Sequence, residues 1–236
     1  MRWLAALLVL ICGPAAAVDC GNVDFDGASY TICTVDVPTE DLRLFHSDAD
    51  GNVYGQFGAV EAGVGKLSFA MNAGMYHEDR APVGYYRENN QNISRLVTSD
   101  GPGNFGLLPN GVVCINDDHI EVHETISYEI NAGPCRDASQ SGPMLVIDGD
   151  LHPRFIPNGS SKYVRNGVGA SADGKTAYFA ISNEPVNFHS FGRLFRDYIG
   201  VDNALYFDGK VSRLYAPALN RSDFGWQLGP IVGVVE

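Results

Sequence analysis

Basic residues are scarce in this chain: 16 Lys and Arg stand against 28 Asp and Glu in 236 residues, a formal charge of −12. A surface of that sign repels nucleic acid and anionic membranes, and an anionic substrate would need local arginines to overcome the field. Long apolar runs are missing too. Beyond the N-terminus, no stretch approaches the roughly 20 apolar residues of a transmembrane helix, so stable membrane insertion is not expected. The G-x-S-x-G nucleophile elbow is absent, because Gly169-Ala170-Ser171-Ala172-Asp173 ends in aspartate. Neither a P-loop nor a dinucleotide fingerprint occurs, and no cofactor is implied.

What is present describes a sheet-rich globular protein. Hydrophobic residues make up 45% and charged residues 19%, enough to bury one sizeable core. With 27 glycines, 12 prolines, 11 tyrosines and 12 phenylalanines, short strands joined by turns are favoured over a helical bundle. Arg2, the apolar run Leu4 to Ile11 and the small residues Ala15-Ala16-Ala17 read as a secretory signal peptide over residues 1–17. Residues 18–236 then form one domain, secreted or periplasmic. That part keeps Cys20, Cys33, Cys114 and Cys135 in a setting where disulfides persist. Three pairings are open, and nearness along the chain favours Cys20–Cys33 and Cys114–Cys135. Their spacings fit no zinc site.

Strand-like runs recur at Tyr30–Val37, Leu42–His46, Leu67–Met71, Val83–Arg87, Gly111–Ile115, Ile120–His123, Met144–Ile147, Ala177–Ser182, Ala204–Phe207 and Val211–Tyr215. Asp-Gly pairs at 50–51, 148–149, 173–174 and 208–209 supply the positive φ angles of tight hairpins. One helix is signalled. From Phe188, residues Phe191, Leu194, Phe195, Tyr198 and Ile199 fall on one arc, with Asn187 or Ser190 as cap and Gly200 as stop. The expected fold is α+β: a mixed, largely antiparallel sheet core with a few helices.

Two patterns bear on metals. Asp48-Ala49-Asp50-Gly51-Asn52 lacks the sixth-position glycine and distal glutamate of a calcium loop and reads as a turn. His119, Glu121 and His123 alternate onto one strand face, where a divalent metal or plain solvent could meet them; the solvated face is favoured and no metal is assigned.

Four segments pair small residues with hydrogen-bonding side chains at the ends of apolar runs: Met71–Met75, Ala138–Leu145, Arg165–Gly169 and Asn203–Gly209. That composition suits a pocket built from strand ends. From about Leu67 to Pro217 the chain resembles the phosphodiester glycosidase domain family. Asn72-Ala73-Gly74-Met75, Ser141-Gly142-Pro143-Met144, Arg165-Asn166-Gly167 and Asp208-Gly209-Lys210-Val211-Ser212 match that family's motifs in order and spacing. Ala73 replaces a glycine and Lys210-Val211 a glycine pair. Asn187-Phe188 and the Arg193–Asp197 helix resemble a bacterial exported branch of unknown substrate.

The resemblance implies hydrolysis of a sugar joined through its anomeric carbon to a phosphodiester, with a carbohydrate or sugar phosphate as ligand. The leaving group is then a phosphate monoester of low basicity, so the site must hold phosphate and stabilise an oxocarbenium-like carbon more than it must protonate an oxygen. Arg165 is expected to grip phosphate, helped by Ser141 and backbone N–H groups near Gly142 and Gly167. Asp208, with Glu184 behind it, is expected as nucleophile or base. Asn72 and Asn187 are expected to bind substrate, with Gly74 thinning the wall. Two further readings stay open: a non-catalytic phosphoglycan- or glycan-binding envelope protein, and a metal-dependent phosphodiesterase using His119, Glu121 and His123.

Overall fold

A computed structural model describes residues 18–236; the signal-peptide reading of residues 1–17 falls outside them. Three antiparallel sheets make up the fold. The largest runs, edge to edge, Asp19–Phe25, Ala28–Asp36, Thr176–Ser182, Asn166–Ala170, Asn203–Asp208, Met144–Ile147 and Asp150–Leu151. A second orders Arg221–Ser222, Leu214–Ala216, Leu67–Asn72, Ile231–Val235 and Asp41–Phe45. The third orders Gln91–Ser94, Tyr86–Glu88, Asp137–Ser141, Gly111–Ile115 and Ile120–Glu124.

Strand alternation explains how they pack. Phe69 and Met71 of the second sheet, Val113, Ile115 and Val122 of the third, and Val168, Phe179, Leu205 and Phe207 of the first meet in one shared core. Opposite faces receive helices. Phe191, Leu194 and Phe195 cover Tyr30, Ala180, Ala204 and Tyr206 on the first sheet, and Phe57 and Val60 of the helix Phe57–Val64 cover Leu67, Ala70 and Ile231 on the second. Behind the third sheet, the helix Thr125–Asn131 brings Tyr128 onto the cluster of Val112, Cys114, Cys135 and Ala138.

Local chemistry sets the boundaries. Asn187 caps the helix Phe188–Arg193 by accepting the Ser190 N–H at 2.8 Å. That helix continues as a π-helical turn, Leu194–Ile199, closed by Gly200 at φ +81°. The wider π turn rotates Tyr198 off the predicted arc, leaving it half-exposed against Phe25. Asp148-Gly149 is a two-residue hairpin turn, as its sequence predicts, and Asp26-Gly27 and Asn89-Asn90 are two more. Asp208-Gly209 is not one: the chain leaves the first sheet there and enters the second at Leu214. Asp48 accepts the Asp50 and Asn52 N–H groups and so closes a plain turn. Cys20–Cys33 crosslinks the first hairpin, and Cys114–Cys135 ties the third sheet to the segment after its helix. Loop entropy gives each bridge about 3 kcal/mol.

Glu88 makes a test of the packing. Burial, with the Asp137 charge adding to it and the Tyr86 hydroxyl donating against it, pushes its carboxyl from the ordinary 4.5 to about 7. A raised folded-state pKa favours the fold fully below the unfolded value, and that contribution is lost as pH rises towards 7. Glu88→Gln should match the wild type below pH 4.5 and exceed it at pH 8 by on the order of 2 kcal/mol, a figure discounted for partial exposure. Chemical denaturation across this range checks it, and equal stabilities at pH 8 would show that the fold does not raise this carboxyl's pKa.

Candidate functional site

At one end of the molecule, segments leaving all three sheets enclose a cavity of about 580 Å³. Met75 and Tyr76 follow the strand Leu67–Asn72, Ser161 and Tyr163 precede Asn166–Ala170, and Val83 precedes Tyr86–Glu88. Asp208, Gly209, Lys210 and Val211 continue from Asn203–Asp208. Tyr206 stands two residues before Asp208 on the same face and forms the floor.

The charges here are unequal in number. Asp208 is the one carboxylate among the described residues lining the cavity, facing two cations, Arg80 and Lys210, neither of which forms an ion pair with a described carboxylate. Asp208 Oδ1 accepts the N–H groups of Gly209 at 2.6 Å and Lys210 at 2.9 Å. Its Oδ2 has no hydrogen bond among the described residues. Burial raises this carboxyl above its ordinary range, while the same two N–H groups and the Lys210 charge pull it back. Arg80 keeps a buried Nε without a partner and lies 5.4 Å from the Tyr76 ring centre.

Beneath the cavity lies a polar layer that assembles the four sequence segments. Asn72, fully buried, donates to Asn166 Oδ1 at 3.2 Å and accepts the Arg213 N–H at 2.9 Å. Asn166 answers by donating to the Asn72 carbonyl at 2.8 Å, and its Oδ1 also accepts the Asp208 N–H at 3.2 Å. Ser141 donates to the Phe207 carbonyl at 3.0 Å. The segments at 72, 141, 165 and 208 therefore meet, but of their four polar side chains only that of Asp208 lines the cavity.

The other sequence candidates lie elsewhere. Arg165 is sealed behind the floor, donating to the carbonyls of Val186 and Ser161 and to Tyr206 Oη, with its guanidinium 3.6 Å from the Phe188 ring centre. All three of its nitrogens donate within the protein, and burial lowers its pKa. Glu184 is exposed and accepts the Ser29 N–H away from the cavity. Asn187 is occupied as a helix cap and by the Pro157 and Gly159 carbonyls. Gly74, at φ +153°, packs on Ser139; a side chain at Gly142 would meet Asn110, and one at Gly167 the Leu205 carbonyl. These glycines serve close packing. His119 engages Asp118 and Asn116, and His123 engages Glu121; no described group of three His, Cys, Asp or Glu residues converges as a metal site.

Sequence reasoning passed over Tyr76, Arg80, Tyr163, Tyr206, Lys210 and Trp226. Two signals were available: Tyr76 directly follows the Asn72–Met75 motif, and Lys210 lies inside the Asp208–Ser212 motif. Nothing local marks Arg80 or Trp226.

Asn72→Ala removes the amide that holds Asn166 and the Arg213 N–H in a buried layer. It should cost about 3 kcal/mol of stability, read from denaturant midpoints, because two polar groups lose their partners. A change below 0.5 kcal/mol would mean that this layer does not anchor the site.

Residues 65–235 match the family model described as phosphodiester glycosidase. Uncharacterized protein YigE of Escherichia coli (strain K12) is 32% identical over 238 residues, covering 100% of this chain and 91% of that protein. Among solved structures, the zebrafish N-acetylglucosamine-1-phosphodiester α-N-acetylglucosaminidase catalytic domain, auto-inhibited by its pro-peptide, superposes with a TM-score of 0.64 at 13% identity. The superposition covers 96% of this chain and 85% of that one. A hypothetical protein from Synechocystis superposes with a TM-score of 0.60 at 12% identity, covering 91% and 61%. These structural likenesses speak to the fold alone. By the match over residues 65–235, the chain belongs to the phosphodiester glycosidase family.

Proposed function

We propose that this protein is an exported hydrolase that cleaves a sugar from a sugar-1-phosphodiester. The observation that carries the reading is the charge arrangement of the cavity: one carboxylate with an unengaged oxygen faces two cations that lack carboxylate partners, within walls rich in tyrosine. Family membership supplies the bond. Arg80 and Lys210 hold the phosphate, replacing Arg165 in that role. Tyr76 and Tyr163 present ring faces to the sugar, and Tyr163 its hydroxyl as well.

Asp208 acts at the carbon end. Fixed through Oδ1, it takes a proton through Oδ2 from a water attacking the anomeric carbon. As the water oxygen bonds to that carbon, the C–O bond to phosphate breaks and its electron pair leaves on the phosphate monoester. Such a leaving group needs little protonation, so a second carboxylate is dispensable. Direct attack by water inverts the configuration at that carbon. Arg165 acts behind this arrangement by fixing the Tyr206 floor. The two disulfides and the signal-like segment at residues 1–17 support export of a single domain, residues 18–236, to the periplasm or beyond.

Incubating the protein with α-GlcNAc-1-phosphodiesters in ¹⁸O-water, with and without chelator, tests the reaction. The label should enter the sugar, unaffected by chelator. Label in phosphate would favour the metal-dependent phosphodiesterase, and binding without turnover the non-catalytic module.

Two further outcomes bear on the residues. Asp208→Asn should lower kcat by at least about 10³-fold, and Arg80→Ala should raise KM by about tenfold or more. Wild-type constants in both variants would place the chemistry elsewhere. Because the Lys210 charge lowers the Asp208 pKa, Lys210→Met should move the acid limb of the kcat/KM profile to higher pH. An unmoved limb would remove Asp208 as the titrating group.

A further inference from the structure

The cavity is not uniformly polar. Its polar side chains, Asp208, Arg80, Lys210, Asn104, Ser161 and the tyrosines, suit a sugar and its phosphate. Apart from two glycines, the remaining wall is Met75, Val83, Pro102, Phe105, Val211 and Trp226, and apart from the Trp226 indole N–H their side chains offer no conventional hydrogen-bond donor to the substrate. A hydroxyl-rich aglycone placed there gains no hydrogen bond from these side chains and gives up water wherever they cover it, which disfavours binding, whereas a hydrocarbon loses nothing.

The apolar wall continues outward. Trp226 is 80% exposed while lining the cavity, and Phe224, two residues earlier, is 97% exposed. Neither aromatic ring is covered by the fold, yet the segment that presents them is firmly held. Arg213 donates to the carbonyls of Asp223 and Trp226, Gln56 to that of Gly225, and Tyr76 to that of Gln227. A braced loop displaying uncovered aromatic side chains loses little conformational freedom when a ligand covers them, and so is pre-organised for binding.

We propose that this wall and the Phe224–Trp226 loop form a subsite for an aliphatic aglycone, so that the substrate is an amphiphile: a sugar joined through phosphodiester to a hydrocarbon chain. This rests on the proposed reaction for the position of the phosphate, which Arg80 and Lys210 hold beside the apolar wall. The chain runs from the phosphate past Val211 and Trp226 to Phe224.

The test is a series of α-GlcNAc-1-phosphodiesters with methyl, butyl, octyl and glycosyl aglycones. Between methyl and octyl, kcat/KM should rise by at least about tenfold, given roughly fourfold per fully buried methylene, and the glycosyl ester should fall below butyl. Phe224→Ser should flatten the rise with chain length. Of the two tryptophans in the sequence, Trp3 lies in the signal-like segment, so Trp226 is the lone tryptophan of residues 18–236. Its emission gives a readout that needs no turnover: octyl phosphate should shift it to the blue and inorganic phosphate should not. A flat chain-length series, or a preferred glycosyl aglycone, overturns the inference and leaves the reaction standing. If no ester turns over, the reaction fails, and the emission shift alone decides the subsite: a shift with octyl phosphate upholds it, and none overturns it.

Discussion

The structure depends on a pair of asparagine side chains. Asn72 ends a strand of the second sheet and Asn166 begins one of the first, and the two buried amides bond to each other and to the backbone on either side. In a low-dielectric interior an amide without partners is costly, so each residue demands the other, and the two sheets can close in one register only. The same pair fixes the chain from Asp208 to Arg213, the segment that carries the carboxylate and Lys210. Arg213 then anchors the loop bearing Trp226. One buried polar contact thus sets the positions of groups that come from distant parts of the chain.

This answers why the apolar run Phe69-Ala70-Met71 is interrupted by an amide. Phe69 and Met71 serve the shared core, while Asn72 serves the joint between sheets. Ser141 and Arg165 belong to the same stratum, with Ser141 held by the Phe207 carbonyl and Arg165 by two carbonyls and a phenol. Within the family motifs, Asn72, Ser141, Arg165 and Asn166 fall on this stratum, while Met75 and the run from Asp208 to Val211 reach the cavity surface. The motifs here record how the site is held as much as what touches a ligand.

That distinction governs how much could be read from sequence. Strands with β-branched and aromatic alternation were legible, as were the Asn187 cap and the Gly200 stop. Asp137–Ser141 was not visible as a strand, since DASQS has neither branched nor aromatic residues, yet all five residues are buried. Its polar side chains find partners only in the folded state: Ser139 on the Ala73 carbonyl, Gln140 on Val97 and Thr125. Asn166–Ala170, glycine-rich, is likewise stabilised by its neighbours and not by local preference. Asp208 stands in a motif and lines the cavity, but a motif cannot tell a side chain that faces a cavity from one that braces its wall. For that reason the sequence points to Arg165 and not to Arg80, which stands in no motif.

Arg165 has one more property. Its guanidinium is enclosed by protein and has no acidic partner among the described residues, and an arginine side chain carries its charge at physiological pH. Lys210 reaches into solvent, where mobile ions attenuate its field over about 8 Å at physiological ionic strength. The cavity therefore has, besides Arg80, one positive charge nearby that the medium can screen, Lys210, and one enclosed by protein that it cannot, Arg165. The buried charge is an electrostatic bias that persists in brine.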